Sequence, residues 1–420
     1  MHILNTNIHL EKHRREIIMP EKHAREAVIL GSARTPHGKF LGGLASLAPA
    51  ELGKIAFKSA IDRSGIDPTD VKEVIVGNVV SAGAGQALPR QISIGAGLPD
   101  TVGGFAVNKV CGSGLKAVMI ASSAIKSDDG DVYLVGGVES MSRAPYLNDV
   151  IRTGNKYGAI QLRDALQVDG LWCAMENWAM GNAAEFIGRQ LEVTRQEMDE
   201  FAHRSHQLAH QATQNGKFKR EITPIVIKGK KGDTLIDTDE TIRADTTLEA
   251  LAQLKPAFES DGQVTAGNAP GMNDGASALV LSSRDYAEKK GHTPIARIVG
   301  YGHAALDPKW IFYAPVKAVP IALAKAGWHV NDVDLFEFNE AFASQVLADM
   351  RGLEREGHPI PLEKINVHGG AIALGHPLGS SGSRVLITLI HALQDRNLKR
   401  GIAALCLGGG EAVALAVELE

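Results

Sequence analysis

The sequence predicts a duplicated α/β protein with an insertion in its first half, and three observations predict it. Short apolar runs end on glycines, as in VIVGN, LVGGVES and LCLGGGE, and alternate with longer amphipathic stretches such as AELGKIAFKSAIDRSG and VKAVPIALAKAG. These are the signatures of alternating strands and helices. The two ends of the chain also resemble each other in three places, in the same order. The middle, by contrast, has a different composition.

Taken in order, the first 25 residues, MHILNTNIHLEKHRREIIMPEKHAR, mix Lys, Arg, His and Glu. They lack both the apolar core of a secretory signal and the acid-poor bias of a transit peptide. Met19 reads as an alternative start and residues 1–18 as a disordered extension. A strand-like EAVILGSA opens the folded chain at Glu26. SGIDPTDVKEVIVGN (64–78) then matches AGWHVNDVDLFEFNE (326–340), with Gly65 against Gly327. CGSGLKAVMIASSAI matches GSSGSRVLITLIHAL, each a small Gly/Ser turn opening an apolar helix. LVGGVE (134–139) matches CLGGGE (406–411). Between them, the charged TRQEMDEFAHRSHQLAHQATQNGKF reads as a helix and IVIKGKKGDTLIDTDE as a polar hairpin. The expected organisation is an extension over 1–25, a first domain over 26–145 and 271–292, an insertion over 146–270 and a second domain over 293–420.

Composition excludes several classes. Hydrophobic content of 44% and charge of 22% describe a globular chain, and a net charge of −4 gives no basic footprint for nucleic acid or anionic lipid. No run of about 18 apolar residues appears, so no membrane span is expected. The three cysteines, at 111, 173 and 406, fit no zinc or disulfide spacing. A reducing cytoplasm is the expected compartment.

Four stretches carry chemistry. NKVCGSGLKAV places Cys111 ahead of a helix, where unpaired N–H groups and the helix dipole favour a thiolate. FEFNEAFA ends an apolar run on Asn339 and Glu340, GGAIALGHPLGSSG holds His376 in a Gly-rich loop, and LCLGGGEAVAL sets Cys406 before three glycines. Each has a plain alternative: a buried cysteine, a helix cap, a satisfied loop histidine, strand packing. Together they supply two thiols, an imidazole and an amide, the inventory for acyl transfer with internal proton shuttling.

These blocks, with GGVESMS and VTAGNAPGMNDGA, resemble the signature blocks of the thiolase family, and the resemblance runs from about Glu26 to the C-terminus. It implies two similar five-stranded βαβαβαββ-type domains in a layered α/β/α/β/α arrangement, with an inserted loop domain that binds coenzyme A. It implies Cys111 as the acylated nucleophile, His376 as its base and Cys406 as the acid/base at C2 of acetyl-CoA. Asn339, through a water, and His376 would form one oxyanion hole; the N–H groups of Cys111 and Gly408 would form the other. Arg243 is implied near the nucleotide of coenzyme A, with Phe258, Ala266 and Ala269 beside the pantetheine. Met180, Ala341 and Phe342 would line the approach to the thiol. No tightly bound cofactor or metal is implied; coenzyme A thioesters are substrates, and a homodimer or homotetramer is expected.

The chain departs from the family pattern in three places. Ala179 stands where many members have histidine, Pro270 where many have serine, and PKWIFYAP brings Trp310, Phe312 and Tyr313 to a stretch of small residues elsewhere. Phe312 and Tyr313 are expected near the acyl group, restricting it to short chains, or else packed outward. A decarboxylating ketosynthase is disfavoured by Cys406 in CLGGGE. A partner-dependent scaffold or lipid-binding subunit is disfavoured by the intact Cys111, Asn339, His376 and Cys406. A nicotinamide dehydrogenase is set aside because no G-x-G-x-x-G follows the first strand.

Overall fold

A computed structural model describes residues 25–420; the extension expected upstream, with its alternative start at Met19, lies outside the described residues except for Arg25. The first half runs β1 (Ala27–Arg34), α1 (Pro49–Ser64), β2 (Glu73–Gly77), α2 (Leu88–Gly95), β3 (Gly103–Val107), α3 (Ser113–Lys126) and β4 (Val132–Ser140). After an intervening segment that includes α4 (Met180–Gln190) and α5 (Arg195–Gln214), it closes with β5 (Asn273–Ser283) and α6 (Arg284–Lys290). The second half runs β6 (Ala296–Ala305), α7 (Ala314–Ala326), β7 (Leu335–Phe338), α8 (Ala343–Arg355), α9 (Leu378–Arg396), β8 (Arg400–Leu407) and β9 (Glu411–Leu419).

The sequence repeat is realised element by element. Both α1 and α7 end on a left-handed glycine, Gly65 and Gly327, each at φ 69°. That conformation, costly for a residue with a Cβ, closes the last turn of each helix. Each glycine leads through a short 3₁₀ turn, Pro68–Asp70 and Val330–Asp332, into the second strand of its half. Strand order is also the same: β1-β5-β4-β2-β3 in the first half and β6-β9-β8-β7 in the second. β2 runs parallel to β3 and β4, as β7 does to β8, while the remaining pairs are antiparallel.

Two features differ from the expected pair of five-stranded domains. The third strand of the second half is reduced to a single parallel bridge, Phe336 to Ile365. The halves are also joined: β1 pairs with β6 through Val28–Arg297 and Ile29–Ala296, which links the nine strands into one sheet, with the short strand Gly38–Lys39 on β5 as a tenth.

Three apolar layers hold this sheet. Alternate residues of each strand face opposite ways, so Val28 and Leu30 enter the layer with α1 and α2 while Ala27 and Ile29 enter the central layer. On β8, Ala403, Leu405 and Leu407 face the centre, whereas Ile402, Ala404 and Cys406 face the layer containing α7 and α8. Helices α3 and α9 fill the centre. Every residue of α9 from Leu378 to Leu393 is buried, and the polar ones among them find partners, as Arg384 does in Glu337 at 2.9 Å. Each buried aliphatic side chain there contributes about 1.5–3 kcal/mol.

The two central helices cross at glycines. A Cβ on Gly114 would sit 2.7 Å from the backbone N of Ser383, and one on Gly382 2.3 Å from that of Leu115. Backbone contact at this crossing therefore requires glycine on both helices. It brings the N-termini of α3 and α9 together, and Cys111 and His376 precede them.

Candidate active site

Cys111 is delivered by a strained turn. After β3, Val110 adopts φ 45°, a left-handed conformation that is unfavourable for a β-branched residue. Hydrogen bonds hold it: Val110 N donates to Asn108 Oδ1 (3.0 Å), Ser113 Oγ to Val110 O (2.7 Å) and Lys109 N to Ser113 Oγ (2.9 Å). Lys109 Nζ also pairs with Glu411 Oε2 of the second half at 2.6 Å.

His376 sits between a helical turn (Ala371–Leu374) and α9. Its backbone N donates to Asn273 Oδ1 at 2.9 Å. Ser381 Oγ donates its one proton to Pro377 O (2.9 Å) and lies 2.6 Å from His376 Nδ1. Ser381 must then accept from Nδ1–H, which leaves Nε2 as the nitrogen with a free lone pair. Asn339 Nδ2 lies 3.4 Å from that Nε2. Asn339 follows β7 directly, and its backbone N donates to Ala404 O on β8 at 2.9 Å. Its Oδ1 is buried without a protein partner. The neighbouring Glu340 points elsewhere, accepting from Ser205 Oγ, Ile372 N and Asn366 Nδ2, and so anchors the loop.

Cys111, His376, Cys406 and Gly408 open on one cavity of about 420 Å³. The segment between β4 and β5 supplies much of its wall, including Met180, Phe258, Ala266 and Ala269; Ala341 and Phe342 come from the loop after β7. Such a mostly apolar space suits a thioester arm with few polar groups. Phe312 and Phe258 both pack edge-on against Phe342, at 5.4 and 6.3 Å between ring centroids.

Electrostatics differ from the helix-terminus expectation. Burial pushes the Cys111 thiol up to about 12; the N–H groups of Cys111 and Gly408 act against this, while nearby Glu139 reinforces it. Burial outweighs the dipole, so no standing thiolate forms. Burial, and then the Arg384 charge, push His376 down to about 3, so the imidazole is neutral. Cys406 lies well above its ordinary range through burial, with Cys111 and Asp349 adding to the shift.

Most residues singled out in the sequence meet here, with exceptions. Arg243 does not line the cavity; it is exposed, its guanidinium donating at 3.3 Å to the carbonyl of Ala266, which does. Asn339 lies behind His376 rather than on the wall. Of the aromatic run, Ile311 and Phe312 face the cavity, whereas Trp310 and Tyr313 pack edge-on against each other at 5.9 Å. Tyr313 packs against Gly352 of α8 instead. Ala179 and Pro270 both line the cavity. Sequence reasoning did not single out Ser381, Asn273 or the strained Val110. Ser381, five residues beyond His376 in the first turn of a helix, carried a usable signal; Asn273 carried none.

A neutral imidazole and a buried thiol lining one mostly apolar cavity supply groups that acyl transfer uses. Comparison with known proteins makes the class specific. The family model "Thiolase, N-terminal domain" matches residues 27–285 and "Thiolase, C-terminal domain" matches 292–419. The chain belongs to the thiolase family and is a thiolase. It is 46% identical over 394 residues to the acetyl-CoA acetyltransferase of Cupriavidus necator, covering 94% of this chain and 99% of that one. It is 47% identical over 392 residues to that of Pseudomonas aeruginosa, covering 93% and 98%. The solved acetyl-CoA acetyltransferase of Syntrophomonas wolfei superposes with a TM-score of 0.93 at 41% identity, over 95% of this chain and 100% of that one. The Bacillus anthracis enzyme gives 0.91 at 42%, over 94% and 99%. Among the described residues no helix is long and apolar enough to cross a membrane.

Proposed function

We propose that the chain interconverts two acetyl-CoA molecules with acetoacetyl-CoA and coenzyme A, or handles 3-ketoacyl-CoAs of similar length. In this reading the Cys111 sulfur attacks the thioester carbonyl while His376 Nε2 takes the thiol proton. The carbon–sulfur bond to coenzyme A then breaks and the departing thiolate takes the proton of Cys406, leaving acyl-Cys111, a protonated His376 and a Cys406 thiolate. In the condensing direction that thiolate takes a proton from C2 of a second acetyl-CoA. The carbanion attacks the acyl carbonyl, and Cys111 leaves and recovers its proton from His376 Nε2. Thiolysis reverses each step.

Developing negative charge needs preorganised donors. The N–H groups of Cys111 and Gly408 serve the acyl oxyanion, and His376 with a water held by Asn339 serves the enolate oxygen. Coenzyme A runs past Met180, Phe258, Ala266, Ala269, Ala341 and Phe342, with Arg243 at the outer end toward the nucleotide. Thioester α-protons suit this chemistry because sulfur delocalises poorly into the carbonyl.

The observation that carries the reading is the convergence of Cys111, His376, Cys406 and Gly408 on a single cavity. Short chain length is supported by Phe312 in its wall and by the acetyl-CoA acetyltransferase names of the relatives. We also infer a cytoplasmic compartment, where free thiols are kept reduced, and, by family resemblance alone, a homodimer or homotetramer. Steady-state thiolysis of 3-ketoacyl-CoAs from four to sixteen carbons, alongside acetyl-CoA condensation, tests the proposal. Maximal kcat/KM at ten carbons or more would refute the short-chain assignment.

A further inference from the structure

The reacting groups come from different halves: Cys111 follows β3, whereas Asn339, His376 and Cys406 belong to the second half. One buried carboxylate bridges that division. Glu139, near the end of β4, is 1% exposed and accepts from four donors. Val79 N (3.0 Å), Val80 N (3.1 Å) and Asn78 Nδ2 (2.9 Å) belong to the loop after β2, and Gly379 N (2.9 Å) to the first turn of α9. Among the described residues no Lys, Arg or His lies within ion-pair distance of it. Two carboxylate oxygens offer about four lone-pair sites, which matches four donors. An amide would turn an NH₂ toward some of them.

Both ends of this bridge reach the reacting pair. On one side, Asn108 Nδ2 donates to Val79 O at 3.3 Å and Asn78 N to Val107 O at 3.1 Å, so the loop after β2 carries the Cys111 turn. Val79 and Val80 also form an apolar cluster with Met141 and Leu378, against which Val110 and Cys111 pack. On the other side, Gly379 stands three residues after His376 on the same tight turn. We infer that Glu139 is a positioning residue that clamps the His376 loop of the second half onto the Cys111 turn of the first, fixing the approach of imidazole to thiol. This rests on the reading of Cys111 and His376 as nucleophile and base.

Misplacement of reacting groups by about 1 Å costs up to a hundredfold in rate. Glu139→Gln should therefore slow Cys111 acylation by acetyl-CoA about tenfold or more, followed by quench and intact mass, with coenzyme A affinity unchanged. A double-mutant cycle separates positioning from general support. In a His376→Ala background, Glu139→Gln should slow the residual acylation by less than about threefold, because the group it positions is gone. Equal factors in both backgrounds, or wild-type acylation by Glu139→Gln, would overturn the clamp. If Glu139→Gln does not fold, Asn78→Ala replaces it in the same cycle. It removes one donor, and wild-type acylation by it would again overturn the inference. Wild-type acylation by His376→Ala alone would instead remove the reading of the site on which the clamp rests.

Discussion

Phe312→Ala tests the acyl pocket and the packing together, because this ring serves both. It is 2% exposed, belongs to the layer containing α7 and α8, contacts Phe342 edge-on, and presents its remaining face to the cavity. Truncating a core phenylalanine costs about 3–5 kcal/mol, and the low end applies here because one face already borders open space. For residues 25–420 unfolding as one unit, about 3 kcal/mol corresponds to a fall of roughly 3–4 °C in Tm. The vacated volume is continuous with the cavity, so a longer acyl chain should occupy it. At about 0.8 kcal/mol per buried methylene, each added CH₂ should gain about fourfold in kcat/KM relative to wild type. Two methylenes, from acetoacetyl-CoA to 3-ketohexanoyl-CoA, should change the ratio by about 15-fold. The assay is thiolysis across four to ten carbons, paired with thermal unfolding. Tyr313→Ala is the control: this ring faces α8, so its chain-length profile should match wild type. A lowered Tm with an unchanged profile for Phe312→Ala would refute the pocket assignment.

The remaining predictions concern protons and sulfur. With the imidazole neutral down to about pH 3 and the thiol up at about 12, wild-type alkylation of Cys111 by iodoacetamide should be nearly flat between pH 5 and 8. His376→Ala should lower it by about 10²–10⁴ at pH 7 and make it rise about tenfold per pH unit, because only the thiolate fraction then reacts. A variant that keeps the flat profile would mean that the helix terminus, not His376, activates the thiol. Cys111→Ser should gain no acyl mass from acetyl-CoA; any gain would exclude Cys111 as the nucleophile. Cys406→Ala should still acylate but lose deuterium exchange at C2 of acetyl-CoA, and wild-type exchange would exclude Cys406 as the acid/base.

What the sequence made legible follows from how each feature is encoded. The repeat was readable because its markers are local: Gly65 and Gly327 are required by the same helix-ending turn, and the Gly/Ser openings of α3 and α9 by the same crossing. Edge pairing of β1 with β6 was not readable, because two buried strands written as apolar runs do not state which neighbour each will take. The shortened third strand of the second half was hidden for a related reason. A single bridge at Ile365 needs no alternating run. At the site, Cys111, His376 and Cys406 announced themselves by glycine-rich surroundings. Arg243 is exposed and reaches the carbonyl of the cavity-lining Ala266, a direction that no local signal in the sequence states for a surface side chain. Phe312 and Tyr313 are adjacent and equally aromatic, and only the 3₁₀ turn over Pro308–Tyr313 decides that one turns in and the other out.

The opposite displacements of the thiol and the imidazole bear on how this site avoids waste. A thiolate poised at neutral pH would be an open target for oxidants and stray electrophiles, since reactivity follows thiolate character. Here burial keeps both partners neutral, and separating their charges in so buried a site is unfavourable. In the proposed mechanism the fixed donors that offset that cost, the N–H groups of Cys111 and Gly408, gain most when the acyl oxygen between them becomes an oxyanion. Interactions that strengthen only along the reaction raise the rate, whereas a preformed ion pair would stabilise the resting enzyme equally. In the proposed mechanism, neutral partners from two halves of the fold therefore place the electrostatic gain in the transition state. The register between those halves then becomes as consequential as the identity of the reacting atoms.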